Sequence, residues 1–301
     1  MKILFSELEN VWEANLSDEL KSRGFDLRYS DLTPEENDYF QFYARKQLAL
    51  PITKAGSARI GQWEDGWLEN LKLLLRKKNA DALIPLYYGK HELVRWRQKF
   101  IKPLNRNFEY FMQCIIQEWL FEKYFKDLDS IYEFGCGTGS NLFRARNVNK
   151  KAKLYGLDWA ESSQEILAKV AEFGLLDNVF GHRFDLFNPD YSIRLDKNSG
   201  VFTSGALEQT GENFKEFIYY LLFMKPKVCI NLEILTELLD KENPMDKICI
   251  DYAEKRNYLN GYVAYLKQLE RNGKIVIHKI QRAYLGTLFI ESPSVVVWSP
   301  K

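Results

Sequence analysis

Apolar and polar positions follow two different rhythms on either side of residue 129. Beyond it, short apolar runs of strand length alternate with stretches of helical spacing. They predict strands over 131–134, 152–157, 179–184, 201–204 and 228–232, with helices over 141–147, 161–173 and 213–223 between them. A helical segment over 247–271 then leads to two closing strands, 274–280 and 294–298. Alternating strand and helix with a closing strand pair predicts an α/β fold, a doubly wound seven-stranded sheet.

Before residue 129 the spacing is helical. Thr33-Pro34-Glu35-Glu36 reads as a helix start, with a capping hydroxyl, proline at the first helical position and acids against the dipole. The stretch 67–78 is amphipathic and ends in Arg76-Lys77-Lys78, and 108–125 carries a wide apolar face ahead of the first strand. Between the Thr33 helix and 67–78, residues 54–61 are small and flexible in composition and read as a connector, with a mobile flap as the alternative. The expected organisation is a helical N-terminal lid or substrate region, 1–128, followed by a ligand-binding domain, 129–301.

One stretch joins the two periodicities. Ile131-Tyr132-Glu133-Phe134 runs into Gly135-Cys136-Gly137-Thr138-Gly139 and then a helix start. Glycine at alternate positions lets the chain turn sharply and lets a ligand lie against the main chain. A phosphate loop of the Gly-Lys-Ser/Thr type is excluded, because the lysine is missing. Glu133 at the strand end would repel a pyrophosphate and would hold an ammonium group, so the ligand should carry positive charge near the loop.

Composition narrows the classes. Hydrophobic residues make up 46% and charged residues 28% of the 301, with a net charge of +1, which argues against a broad nucleic-acid or membrane surface. No run of 18 apolar residues exists, and Glu7 and Glu9 spoil a leader sequence at the N-terminus. Cys114, Cys136, Cys229 and Cys249 are far apart without a Cys-x-x-Cys pair, so reduced thiols in a cytoplasmic protein are expected. No carboxylate-rich metal constellation is present in the sequence, and no metal is predicted.

Glu133-x-Gly135-x-Gly137-x-Gly139 resembles the first motif of the class I S-adenosylmethionine-dependent methyltransferases, which have a Rossmann-like fold. The resemblance covers roughly residues 129–301 and implies S-adenosylmethionine as cofactor. It implies that Asp158, 23 residues after Gly135, chelates the ribose hydroxyls, and that Asp185 accepts the adenine amino group. Cys136 in the loop, Trp159 and Leu186 beside the two acids, and Ser204 at the end of the fourth strand complete the implied cofactor set. Met224-Lys225-Pro226-Lys227 is similar to the turn before strand five in that family, with Lys227 replacing glycine. After strand four, small-molecule members often have a Glu-His pair; this chain has Glu208-Gln209, so that histidine is absent.

The acceptor is read from what remains. Asn188-Pro189-Asp190-Tyr191 looks like the amine clamp of DNA methyltransferases but follows strand three, where that motif does not belong, so a nucleic-acid substrate is disfavoured. Candidate bases are Glu208 first, then His91 and His278, with Glu233 after strand five also in view. Residues 90–107 hold six cations, among them Arg95 and Arg97, against one acid, Glu92; with Tyr87 and Tyr88 alongside, they are candidate contacts for a phosphorylated or nucleotide-linked sugar. The bland reading of that segment is a solvated helix face. The expected activity is methyl transfer to an O or N atom of a small molecule. A cofactor-binding scaffold without catalysis and a protein methyltransferase stay open as alternatives.

Overall fold

The computed structural model describes Met1–Lys301. The N-terminal region opens with α1 (Phe5–Trp12), α2 (Asp18–Ser22), β1 (Tyr29–Asp31), α3 (Pro34–Leu48) and α4 (Ile60–Lys77). The hairpin β2 (Val94–Trp96) and β3 (Lys99–Pro103) precedes α5 (Phe108–Tyr124). The start of α3 carries the full capping box, the Thr33 hydroxyl accepting from the Glu36 N–H and the Glu36 carboxylate from the Thr33 N–H.

From β4 (Ser130–Phe134) the elements are α6 (Ser140–Val148), β5 (Lys153–Asp158), α7 (Glu161–Glu172), β6 (Val179–Arg183), β7 (Ser199–Ser204), α8 (Lys215–Met224) and β8 (Val228–Glu233). Then follow α9 (Pro244–Arg256), α10 (Tyr262–Arg271), β9 (Ile275–Gln281), β10 (Leu285–Gly286) and β11 (Ser294–Pro300). Seven strands form one sheet in the order β6-β5-β4-β7-β8-β11-β9. Pairing is parallel from β6 through β8, and β11 runs antiparallel to both β8 and β9. This is the Rossmann-like doubly wound sheet expected from the sequence. Its winding reverses between β4 and β7, and ligands of such sheets bind outside the strand carboxyl ends at that point.

Three expectations are corrected. The N-terminal region is not wholly helical: β1, β3 and β2 form a second, antiparallel sheet, closed by β10 from the far end of the chain. The basic stretch 90–107 is the β2–β3 hairpin and not a helix face; its two turn residues, Arg97 and Gln98, both have positive φ, the geometry of a two-residue hairpin turn. The helical segment 247–271 is two helices. Asn257 ends the first in the left-handed conformation, φ 56°, and Gly261, φ 72°, opens the second.

The core is shared across these parts. Trp12, Leu74, Trp96 and Ile101 pack in one contiguous apolar cluster with Phe121, Ile131, Leu154 and Val297. Trp12 donates through Nε1 to the Ala283 carbonyl at 2.9 Å. No helix is long and apolar enough to cross a membrane, and the four cysteines are buried and unpaired.

Candidate active site

The glycine loop connects β4 to α6 with Gly135, Gly137 and Gly139 all at positive φ. A Cβ on Gly135 would stand 2.2 Å from that of Ala206, and one on Gly137 would stand 2.7 Å from the Trp67 indole. Both positions therefore need glycine twice over, for conformation and for space. Asp158, at the end of β5, holds the loop down: Oδ2 accepts from the Gly137 N–H at 2.8 Å and Oδ1 from the Ala160 N–H at 2.9 Å. Burial pushes its carboxyl up to about 6.

Above the loop lies a cleft with about 810 Å³ of empty space, its open mouth included. Gly135, Cys136, Gly137, Thr138, Ser140 and Asn141 form its floor. Asp158, Trp159, Phe184, Leu186 and Phe187 flank one side, and Ser204, Gly205, Ala206, Gln209 and Thr210 flank another. Trp159 and Phe187 lie nearly parallel, 6.0 Å apart at 13°. With Phe184 and Leu186 they make an apolar wall against which a flat ring can lie.

The remaining wall comes from the N-terminal region: Trp63 and Trp67 on α4, with Pro85, Tyr87 and Tyr88. The two indoles stack at 5.5 Å, Trp67 meets Tyr87 edge-on at 6.4 Å, and Tyr87 meets Tyr88 at 4.7 Å. The helix α4 is fastened to the sheet domain by Glu64, whose two carboxylate oxygens accept from the Glu161 and Ser162 N–H groups and so cap α7. The Thr138 hydroxyl donates to the Leu83 carbonyl at 2.6 Å, tying the glycine loop to the same region.

Beneath Asn141 and Ser204 two buried acceptor atoms stand without a donor, with the buried Arg144 guanidinium near the first of them. Glu133 is wholly buried; Oε1 accepts from Asn141 Nδ2 at 2.6 Å and Oε2 has no partner. Burial pushes this carboxyl up to about 8. Gln117 donates to the Ser204 hydroxyl at 3.1 Å and leaves its own Oε1 unpaired. An end of the cleft built in this way suits a ligand that brings N–H donors and positive charge.

The sequence-predicted residues divide. Gly135, Cys136, Gly137, Asp158, Trp159, Leu186, Ser204, Tyr87 and Tyr88 all line the cleft. Glu133 stands one layer below it, behind Asn141. Gly139 is not on the cleft surface; it lets α6 close on Leu167, whose Cδ2 would be 2.5 Å from an added Cβ. Asp185 does not line the cleft either, and Oδ1 accepts from the Phe187 N–H at 2.9 Å in a local turn.

Four residues are misplaced by the sequence reading. Arg95 is buried in the small sheet and donates to the carbonyls of Met245, Thr287 and Leu288, so it fastens backbone and does not line the cleft. Arg97 is exposed in the hairpin turn beside Glu7. His91 borders a different hollow, edge-on to Phe289, with Tyr39 and Tyr43. His278 lies on the edge strand β9, its Nε2 2.8 Å from the Ser299 hydroxyl. With these gone, no Lys, Arg or His lines the cleft, and the physical ground for a phosphorylated substrate goes with them.

Glu208 is also set back. It is buried, Oε2 accepts from the Ile234 N–H and Oε1 from Gln209 Nε2 at 3.4 Å, while its own N–H donates to Glu233 Oε2 at 3.0 Å. Burial pushes both carboxyls of this pair above the ordinary range, and Glu233 also feels the Glu208 charge. Gln209, the residue beside it, is the one that reaches the cleft.

Sequence reasoning missed Trp63, Trp67, Phe187 and Gln209 as site residues. Trp63 and Trp67 are one helical turn apart on α4, a spacing indistinguishable from that of a core face until the helix is docked.

No family model and no curated protein matches the sequence. Among solved structures, the chain is similar to a SAM-dependent methyltransferase from Aquifex aeolicus, at 16% identity over 60% of this chain and 88% of that one, TM-score 0.42. It is similar to a geranyl diphosphate methyltransferase in complex with GPP and sinefungin, at 12% identity over 87% and 99%, TM-score 0.49. A third is magnesium protoporphyrin IX methyltransferase from Synechocystis PCC 6803 with bound SAM, at 13% identity over 64% and 79%, TM-score 0.44. All three are methyltransferases. Likeness this loose carries no weight on substrate, which rests on the residues of the cleft.

Proposed function

We propose that the cleft binds S-adenosylmethionine and that the chain transfers its methyl group to an oxygen or nitrogen atom of a small molecule. The observation that carries this is the union of Gly137 and Asp158. A loop that cannot tolerate a side chain is held against an acid at the end of the next strand, at the switch point of a doubly wound sheet. The surroundings fit that ligand part by part: the apolar wall of Trp159, Phe184, Leu186 and Phe187 takes a face of the adenine ring, Asp158 is the partner for the ribose, and the unpaired acceptors under Asn141 and Ser204 take the ammonium group.

When bound, the cofactor would supply a methyl carbon on a sulfonium; the C–S bond breaks with its electrons left on sulfur as the new C–O or C–N bond forms, and the acceptor's proton passes to solvent at the open mouth of the cleft. The chain's part is alignment and exclusion of water. The floor orients the donor, and Trp63, Trp67, Tyr87 and Tyr88 cover the acceptor side with rings. A sugar acceptor loses the support it drew from segment 90–107, which lies in the second sheet.

Calorimetric titration of S-adenosylmethionine into wild type and Asp158→Ala tests the assignment. Binding by wild type with a loss of about 1–3 kcal/mol in the variant supports it. Equal binding by both, or none by wild type, overturns it. Turnover of labelled methyl donor on peptides alone would overturn the small-molecule part.

A further inference from the structure

The connector 54–61 is not a loose flap. Ala55 donates to the Arg256 carbonyl, and Arg256 donates to that of Thr53, which staples the segment beside the cleft. From it Arg59 turns inward and is buried. Its Nε donates to Gln62 Oε1 at 3.0 Å, its Nη1 donates to Gln209 Oε1 at 2.9 Å, and its guanidinium lies over the Trp63 ring at 5.0 Å.

That contact decides which way Gln209 faces. A guanidinium only donates, so the amide oxygen of Gln209 must turn toward Arg59. One hydrogen of Nε2 goes to Glu208 Oε1. The other remains, on a residue that lines the cleft next to Trp63. Gln209 therefore offers the cleft a fixed N–H donor, at the position where a histidine would have offered a base.

We propose that Arg59 is a positioning residue that locks Gln209 as a hydrogen-bond donor, and that the methyl acceptor is a planar aromatic molecule whose ring carries an oxygen facing Gln209 Nε2. The inference rests on the methyltransferase reading of the cleft. The flat wall of Trp63, Trp67, Tyr87 and Tyr88 selects the ring, since stacked and edge-on faces reward planar partners. The locked amide selects the oxygen, because a donor left unpaired in a covered cleft penalises a ligand that brings none.

The test uses the full chain saturated with S-adenosylhomocysteine and four one-ring probes: phenol, benzoate, aniline and toluene. Phenol or benzoate should bind about tenfold more tightly than toluene, the size of one added hydrogen bond. Gln209→Ala and Arg59→Ala should each erase that preference, and the double variant should lose no more than Gln209→Ala alone, because the two act as one unit. Gln209→Glu, which turns the donor into an acceptor, should reverse the preference between benzoate, which can only accept, and aniline, which donates. Circular dichroism on each variant separates a lost contact from a lost fold, with Arg59→Lys as the conservative substitute that should restore part of the preference. If S-adenosylhomocysteine binds but wild type shows no oxygen preference, including no binding of any probe, or folded variants keep the preference, this inference alone is overturned. Failure of wild type to bind S-adenosylhomocysteine overturns the underlying reading and this one with it.

Discussion

The two sides of the cleft are made of different material. The side proposed to hold the methyl donor is backbone: Gly135 and Gly137 of the loop, held down by Asp158 through the Gly137 N–H, and the chain following β7. The acceptor side is rings borrowed from α4 and the 85–88 segment. A backbone wall fixes residue types, because only glycine fits where Ala206 and Trp67 press on the loop. A wall of rings fixes only size and flatness, so it can change its ligand while the donor side stays as it is.

The largest expected effect comes from breaking the backbone wall. Gly135→Val puts a branched side chain at φ 74°, with its Cβ on top of Ala206. The combined steric and conformational cost is about 3 kcal/mol or more. Thermal denaturation should show that loss, and S-adenosylmethionine binding should vanish in whatever remains folded. A variant that binds normally would mean the loop is not pressed against the cleft at all.

Arg95→Met comes next and separates structural cations from site cations. It leaves the carbonyls of Met245, Thr287 and Leu288 buried without their donor. Stability should fall by about 3 kcal/mol in chemical denaturation, while cofactor affinity stays within about twofold. A loss of affinity without loss of stability would return Arg95 to the site.

A smaller effect is carried by pH. Glu133 is pushed up to about 8 by burial, and burial raises the Glu208–Glu233 pair as well. Such groups stay protonated in the folded chain at pH values where the unfolded chain has released them. Their contribution to stability is therefore full below the ordinary carboxylate range and is lost as pH rises toward 8. The melting temperature of the ligand-free protein should fall by about 5 °C between pH 5.5 and 8, and Glu133→Gln should reduce that fall. For the same reason S-adenosylmethionine should bind more tightly at pH 8 than at pH 6, since its ammonium favours the ionised carboxylate. A flat profile in both measurements would detach Glu133 from the ligand.

How much of this was legible follows from where each constraint lives. The doubly wound sheet was legible because its central strands β4, β7 and β8 are short runs buried on both faces, and the strand limits in the structure lie within about two residues of those read from spacing, even for the edge strand β6, which is exposed beyond Val179. The loop and Asp158 were legible because a tight turn dictates glycine. The small sheet was not: β1 and β2 have three residues each, β10 has two, and β10 pairs with β2 from nearly 200 positions away. Arg95 looked like a surface cation because its three carbonyl partners come from 245–288. The break between α9 and α10 had a local signal in Asn257, Asn260 and Gly261, which the apolar periodicity on either side outweighed.

The smallest expected effect is the companion to Arg95→Met. Arg97 is two positions along the same hairpin, carries the same charge and shares Trp96 as a neighbour, yet its side chain is 58% exposed and reaches only Glu7, at 3.5 Å. An ion pair of that kind is screened by water, so Arg97→Ala should change stability by no more than about 0.5 kcal/mol. Because its φ is 50°, the alanine also keeps a strained backbone position, and any measurable loss should come from the turn and not from the charge. Arg97→Gly distinguishes the two: it removes the charge and relieves the turn, so it should be at least as stable as Arg97→Ala. If both variants lose stability equally, or either loses methyl transfer, the hairpin is nearer to the chemistry than its placement in the second sheet allows.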